Sequence, residues 1–193
     1  MNDAVNEQIA EAIETHSRMT AQLQRSGART IAAAAEAILK AFERGGRLYI
    51  CGNGGSAADA QHIASELVGR FNRERRALPA VALSTDTSAI TSISNDYGYD
   101  NVFARQVEAL VAEGDILWAI STSGASANIL AAAQQAKKKG AFILAFTGKS
   151  GSKLEKMADV CFCADSSSTA RTQEIHQLGY HIICDIVEQS VCE

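Results

Sequence analysis

Leu48-Tyr49-Ile50-Cys51-Gly52-Asn53-Gly54-Gly55-Ser56-Ala57-Ala58-Asp59-Ala60-Gln61-His62 is the stretch that decides the fold. Four unbroken apolar residues run into a glycine turn, and a helical stretch from Ala57 to Arg73 follows directly. A short continuous apolar run closed by glycine is the pattern of a strand covered on both faces, as in a parallel sheet. Four more runs of this kind follow: Ala80-Val81-Ala82-Leu83, Ile116-Leu117-Trp118-Ala119-Ile120, Phe142-Ile143-Leu144-Ala145-Phe146 and Val160-Cys161-Phe162-Cys163. Helical stretches from Val102 to Ala112, Ser126 to Lys139 and Ser168 to Val191 alternate with them. Strand and helix in alternation predict an α/β chain: a three-layer α/β/α sandwich around a five-stranded parallel sheet, closed by a long C-terminal helix. Upstream, Ile9, Ile13, Met19 and Leu23, then Ile31, Ala35, Ile38, Leu39 and Phe42, are spaced for two amphipathic helices. Residues 1–45 therefore read as a helical extension free to make subunit contacts.

Composition narrows the class. The chain has 193 residues, 22 acidic against 18 Lys and Arg, a formal charge of −4, 47% hydrophobic and 6% aromatic residues. At roughly 150 residues per domain this predicts a single domain, residues 1–193, with a substantial core. An acidic chain with few aromatics lacks the basic footprint of a nucleic-acid binder, so an anionic ligand must be held by something other than bulk charge. The acids in Met1-Asn2-Asp3-Ala4-Val5-Asn6-Glu7 do not fit a secretory leader. Ile31 to Phe42, the most apolar helical stretch, is shorter than the ~20 residues of a membrane span and contains Glu36 and Lys40. A cytoplasmic protein outside the membrane is expected. Cys51, Cys161, Cys163, Cys184 and Cys192 show neither C-x-x-C spacing nor the density of a disulfide scaffold, and read as reduced thiols.

In a doubly wound sheet, ligands sit beyond the carboxyl ends of the strands, where strand order reverses. Two loops there stand out. Gly52, Gly54 and Ala57 satisfy the G-x-G-x-x-[GA] spacing of a dinucleotide turn, but Asp86, the nearest acid for a ribose, lies beyond the usual interval of about 20 residues. A plain tight turn is the competing reading, yet Asn53 and Ser56 add donors a turn does not require. The second loop sets Ser121, Thr122, Ser123 and Ser126 around Gly124 at a helix start, a neutral cradle for phosphate made of hydroxyls and free backbone N–H groups. Ordinary helix capping competes with that reading.

Five ordered blocks carry a family resemblance: residues 51–62, Glu66-Leu67-Val68-Gly69-Arg70-Phe71, Asn95-Asp96-Tyr97-Gly98, Ser121-Thr122-Ser123-Gly124 and Ala170-Arg171-Thr172-Gln173-Glu174-Ile175-His176. On these the chain resembles the sugar isomerase (SIS) family over nearly its whole length. The resemblance implies the SIS fold and a homotetrameric cytoplasmic enzyme that interconverts sedoheptulose 7-phosphate and D-glycero-D-manno-heptose 7-phosphate for bacterial surface polysaccharide. It implies one Zn2+ per subunit on His62, Glu66, Gln173 and His181, with Glu66 and His181 as the catalytic pair. Implied sugar-phosphate contacts fall on Asn53, Gly54, Gly55, Ser56, Asn95, Asp96, Ser121, Thr122, Ser123, Ser126 and Gln173, with Arg70 beside them. The chain departs from the family at Ala125, where relatives often carry Asn, and at Ala170, where some carry Asp.

The residue types suit that chemistry. His62 and Glu66, four apart on a helix, share a face about 6 Å apart along the axis and can converge on one cation, although an exposed His–Glu pair has the same spacing. Gln173 and His181 stand about 12 Å apart along the last helix and meet one ion only if their side chains lean together or come from different subunits. Moving a carbonyl between neighbouring carbons requires a base, an acid and an electrophile. Three other functions compete: a non-catalytic relative binding the replication initiator, a sugar-phosphate-sensing regulator, and a nicotinamide-dependent oxidoreductase. Glu66 and His181 speak against the first, and the chain length leaves no room for the DNA-binding module of the second.

Overall fold

The computed structural model describes residues 3–192. Two helices, α1 (Asp3–Ser26) and α2 (Ala28–Glu43), precede the alternating part. Then come β1 (Leu48–Cys51), α3 (Gly55–Val68), β2 (Ala80–Ala82), α4 (Thr87–Tyr97), α5 (Val102–Leu110), β3 (Ile116–Ser121), α6 (Ala127–Lys138), β4 (Phe142–Thr147), β5 (Val160–Cys163) and α7 (Thr169–Cys192). All strand pairs are parallel, in the order β2-β1-β3-β4-β5. From β1 the chain moves out to β2 and then returns to the other side at β3, so the reversal lies between β1 and β3. The two loops singled out in the sequence leave the sheet at that point.

Side-chain alternation divides the core into two layers. Leu48 and Ile50 of β1, with Ile116, Trp118 and Ile120 of β3, pack under α2, α3 and α7. Tyr49 and Cys51, with Leu117 and Ala119, face the opposite way, under α5 and α6. Every residue of β1 and β3 is buried, which is why these strands read as unbroken apolar runs. Among the described residues no helix is long and apolar enough to cross a membrane. Burial pushes the thiols of Cys51 and Cys184 up to about 12, so both stay protonated inside the core.

Two local readings are corrected. Helix α4 was not foreseen, because Thr87-Ser88-Ala89-Ile90-Thr91-Ser92 is rich in residues with weak helix propensity. Its start signal is nonetheless present, since the Asp86 side chain accepts from Ala89 N at 2.9 Å. Helix α3 ends at Val68, not Arg73, because Gly69 breaks it and residues 69–76 form a separate loop.

His176, which reads in the sequence as an ordinary helix histidine, is fully buried. Its Nε2–H donates to the Thr147 carbonyl at 3.0 Å, beneath the rings of Phe146 and Phe162. Burial pulls its pKa down to about 4, with the Thr147 bond opposing the shift. A depressed histidine pKa means the unfolded chain binds the proton first, so the contribution is complete above about 6.5 and lost as pH falls towards 4, at most about 3 kcal/mol. Urea unfolding across this range is expected to show a steeper stability loss in the native protein than in His176→Gln. Parallel curves would refute this account.

Candidate active site

Three helix starts surround a cavity of about 280 Å³ at the carboxyl edge of the sheet. Gly54, Gly55 and Ser56 line it from the start of α3, Ser121, Thr122 and Ser126 from the end of β3 and the start of α6, and Thr169 from the start of α7. No lining residue is charged. Ser126 sits at the N-cap of α6, yet its hydroxyl makes no cap bond and instead meets Ser121 Oγ at 3.0 Å. The hydroxyls therefore do not serve as ordinary caps, and the N–H groups of the first turn remain free for an anion.

Asn53 is committed differently from its role in the sequence reading. Its Nδ2 donates to Asn128 Oδ1 at 2.9 Å, and Asn128 Nδ2 donates back to Asn53 Oδ1 at 2.8 Å. The Tyr99 hydroxyl adds a third bond to Asn53 Oδ1 at 3.0 Å. This half-buried amide pair ties the glycine loop to the first turn of α6 and fixes the spacing of the two loops. Asn128 and Tyr99 are not marked in the sequence, where nothing links Asn53 to positions 75 and 46 residues away. Asn95 and Asp96, exposed on the last turn of α4, bond to each other at 2.8 Å. Ser123 is exposed at the loop tip, and Arg70 is exposed just beyond α3.

Helices α3 and α7 lie side by side. A Cβ on Gly55 would meet the Gln173 amide nitrogen at 2.4 Å, and seven residues further along each helix His62 meets Tyr180. His62, Glu66 and His181 form a cluster whose ligand atoms lie within 4.8 Å of one another, all from one chain. Gln173 is not with them; it lines the cavity two turns earlier on α7. The Tyr180 hydroxyl stands 3.0 Å from His62 Nδ1 and 3.5 Å from Asp59 Oδ1. With a cation on its Nε2, His62 would keep its proton on Nδ1 and donate it to the Tyr180 oxygen, whose own proton turns to Asp59. His62 Nε2 stands 2.8 Å from Glu66 Oε1, a hydrogen bond whose two atoms also point at one shared position for a cation. His181 Nε2 is buried without a partner. An orphaned imidazole nitrogen clustered with a second imidazole and a carboxylate fits a divalent metal of the kind bound by His and carboxylate. Burial, reinforced by His62, lowers the His181 pKa against the pull of Glu66.

The profile described as SIS domain matches residues 11–148, and the chain belongs to the SIS-domain family. Over 192 residues it is 50% identical to a phosphoheptose isomerase of Roseiflexus sp. (strain RS-1), covering 100% of this chain and 98% of that one. Solved structures of the phosphoheptose isomerases of Neisseria gonorrhoeae (41% identity, TM-score 0.91, covering 96% of this chain and 99% of that one) and Francisella tularensis (38%, 0.92, 98% and 100%) share the fold. The protein is a sugar-phosphate isomerase of the phosphoheptose isomerase group.

Proposed function

We propose that the protein converts sedoheptulose 7-phosphate to D-glycero-D-manno-heptose 7-phosphate by proton transfer through an enediolate. The observation that carries this reading is the spacing of cradle and cluster along two parallel helices. Gly55 and His62 are seven residues apart on α3, about 10 Å along its axis. An extended chain advances roughly 1.2 Å per bond, so the eight bonds from C1 to the phosphorus of a seven-carbon sugar phosphate reach about 10 Å and span that interval.

The phosphate sits among Gly54, Gly55, Ser56, Ser121, Thr122, Ser123 and Ser126, held by hydroxyls and helix N–H groups. Asn53 sets the width of the cradle through Asn128. Asn95, Asp96, Gln173 and Arg70 contact the sugar chain. His62, Glu66 and His181 hold one zinc ion per subunit, while Gln173 of the same chain stands at the cradle end of α7 and is left to the sugar. The chemistry a bound zinc ion supplies there is Lewis-acid stabilisation of negative charge on the substrate. Substrate oxygens loosen the metal contact of Glu66, which removes the proton from C1 and returns it to C2, while His181 carries a proton from O1 to O2. Asp59 and Tyr180 hold His62 in its Nδ1–H tautomer. Residues 1–193 act as one SIS domain of a cytoplasmic homotetramer, residues 1–45 serving subunit packing, and the product feeds lipopolysaccharide or another surface polysaccharide. The exposed apolar stripe Val5, Ile9 and Ile13 on α1 supports that packing role. Incubation with sedoheptulose 7-phosphate in D2O tests the proton-transfer step: deuterium is expected at C2 of the aldose and, through reversal, at C1 of the ketose, and isomerisation with no solvent deuterium in either sugar would overturn it.

A further inference from the structure

A buried ion pair outside the active site grips the helix end that carries Glu66. Arg75, whose side chain is 2% exposed, folds back under α3. Its Nη2 donates to the Glu66 carbonyl at 2.7 Å, and its Nη1 to the carbonyls of Leu67 and Gly69 at 2.7 and 2.9 Å. These are carbonyls that the end of a helix leaves without partners. Glu188 on α7, also fully buried, faces Arg75 Nε at 3.4 Å. Its carboxylate accepts from three successive amides, Phe71 N at 2.8 Å, Asn72 N at 2.6 Å and Arg73 N at 2.8 Å. Phe71, fixed in this way, packs its ring 5.6 Å from that of His181. Burial alone would raise the Glu188 carboxyl; the three amides and Arg75 outweigh it and hold the group ionised.

We infer that Arg75 and Glu188 are positioning residues for the metal cluster. Arg75 locks the last turn of α3, so that the Glu66 carboxylate faces His62 and His181, while Glu188 locks the loop that bears Arg70 and Phe71 against α7. A bidentate guanidinium suits this task, because its planar fork satisfies several carbonyls at once, whereas an ammonium cannot hold the same geometry. This inference rests on the proposed metal centre.

The test measures zinc affinity by chelator competition, alongside kcat and KM, in Arg75→Met, Arg75→Lys and Glu188→Gln. Ile38→Ala, in the core on α2, controls for lost stability alone. Supporting residues behind metal ligands typically account for 10- to 100-fold in affinity or activity. Arg75→Met is expected to weaken zinc binding by about tenfold or more and to lower kcat similarly, with KM nearly unchanged because the phosphate cradle lies at the other end of α3. Arg75→Lys should fall between native and Met, and Ile38→Ala should keep native zinc affinity. If Arg75→Met does not fold, Arg75→Lys and Glu188→Gln decide the matter by the same readout. Native zinc affinity in the folded variants would overturn the inference while leaving the metal centre standing. A native protein that binds no zinc would overturn the metal centre itself, and the inference with it.

Discussion

Replacing Glu66 by Gln is expected to lower kcat for ketose-to-aldose conversion by about 10³-fold, within the range that a positioned general base contributes. The substitution keeps the shape and one oxygen donor but removes the charge and the capacity to accept a proton. The side-chain hydrogen bond of Glu66 is to His62 Nε2, so the fold loses little, and thermal unfolding should stay near that of the native protein. KM should change only a few-fold, because the cradle at Gly54–Ser56 and Ser121–Ser126 is untouched. Deuterium incorporation at C1 should fall in step with kcat. A variant within tenfold of native turnover would remove Glu66 from the proton transfer.

The second large effect is expected at Gly52→Ala. Here the chain turns so tightly that an added Cβ would lie 2.4 Å from the Ser56 carbonyl oxygen and 2.6 Å from its carbon. Both are backbone atoms in the first turn of α3, and no side-chain rotation relieves the clash. Forcing atoms into such a contact costs about 1–3 kcal/mol, a fall in Tm of a few to about 10 °C for a chain of this size. The function should suffer more than the fold, since the displaced turn carries the N–H groups aimed at the phosphate. KM should rise by at least about tenfold, the loss of roughly one charge-assisted hydrogen bond. An unchanged KM together with an unchanged Tm would show that the turn is looser than its geometry implies.

What was legible in the sequence was whatever local order encodes. The five strands announced themselves because parallel strands covered on both faces must be apolar throughout, as Leu48–Cys51 and Ile116–Ser121 are. The glycine and serine loops were legible because a strand-to-helix turn that meets an anion needs small residues and hydroxyls in a short span. His62 and Glu66 could be paired from helical spacing alone. The remaining features depend on pairings between distant positions. The Glu188 carboxylate meets Phe71 N across 117 residues, and Tyr180 meets His62 across 118. Nothing near Asn128, Arg75 or Tyr180 in the chain marks them as partners of the loop, of the helix end or of the imidazole. The reach of Gln173 and His181 was an open question in the sequence, because it turns on which helix lies beside α7. The structure sets α3 there, with Gln173 at the cradle end and His181 at the cluster end.

In the proposed reaction this chain moves a carbonyl along a heptose phosphate with help from a metal held by His62, Glu66 and His181. The most direct measurement is NMR of sedoheptulose 7-phosphate incubated with the purified protein, first zinc-replete, then after chelation, then with zinc restored. The aldose 7-phosphate is expected to form, to stop forming on chelation and to return with zinc. No aldose in zinc-replete buffer would contradict the proposed reaction, and undiminished aldose from a fully chelated protein would contradict the role of the metal.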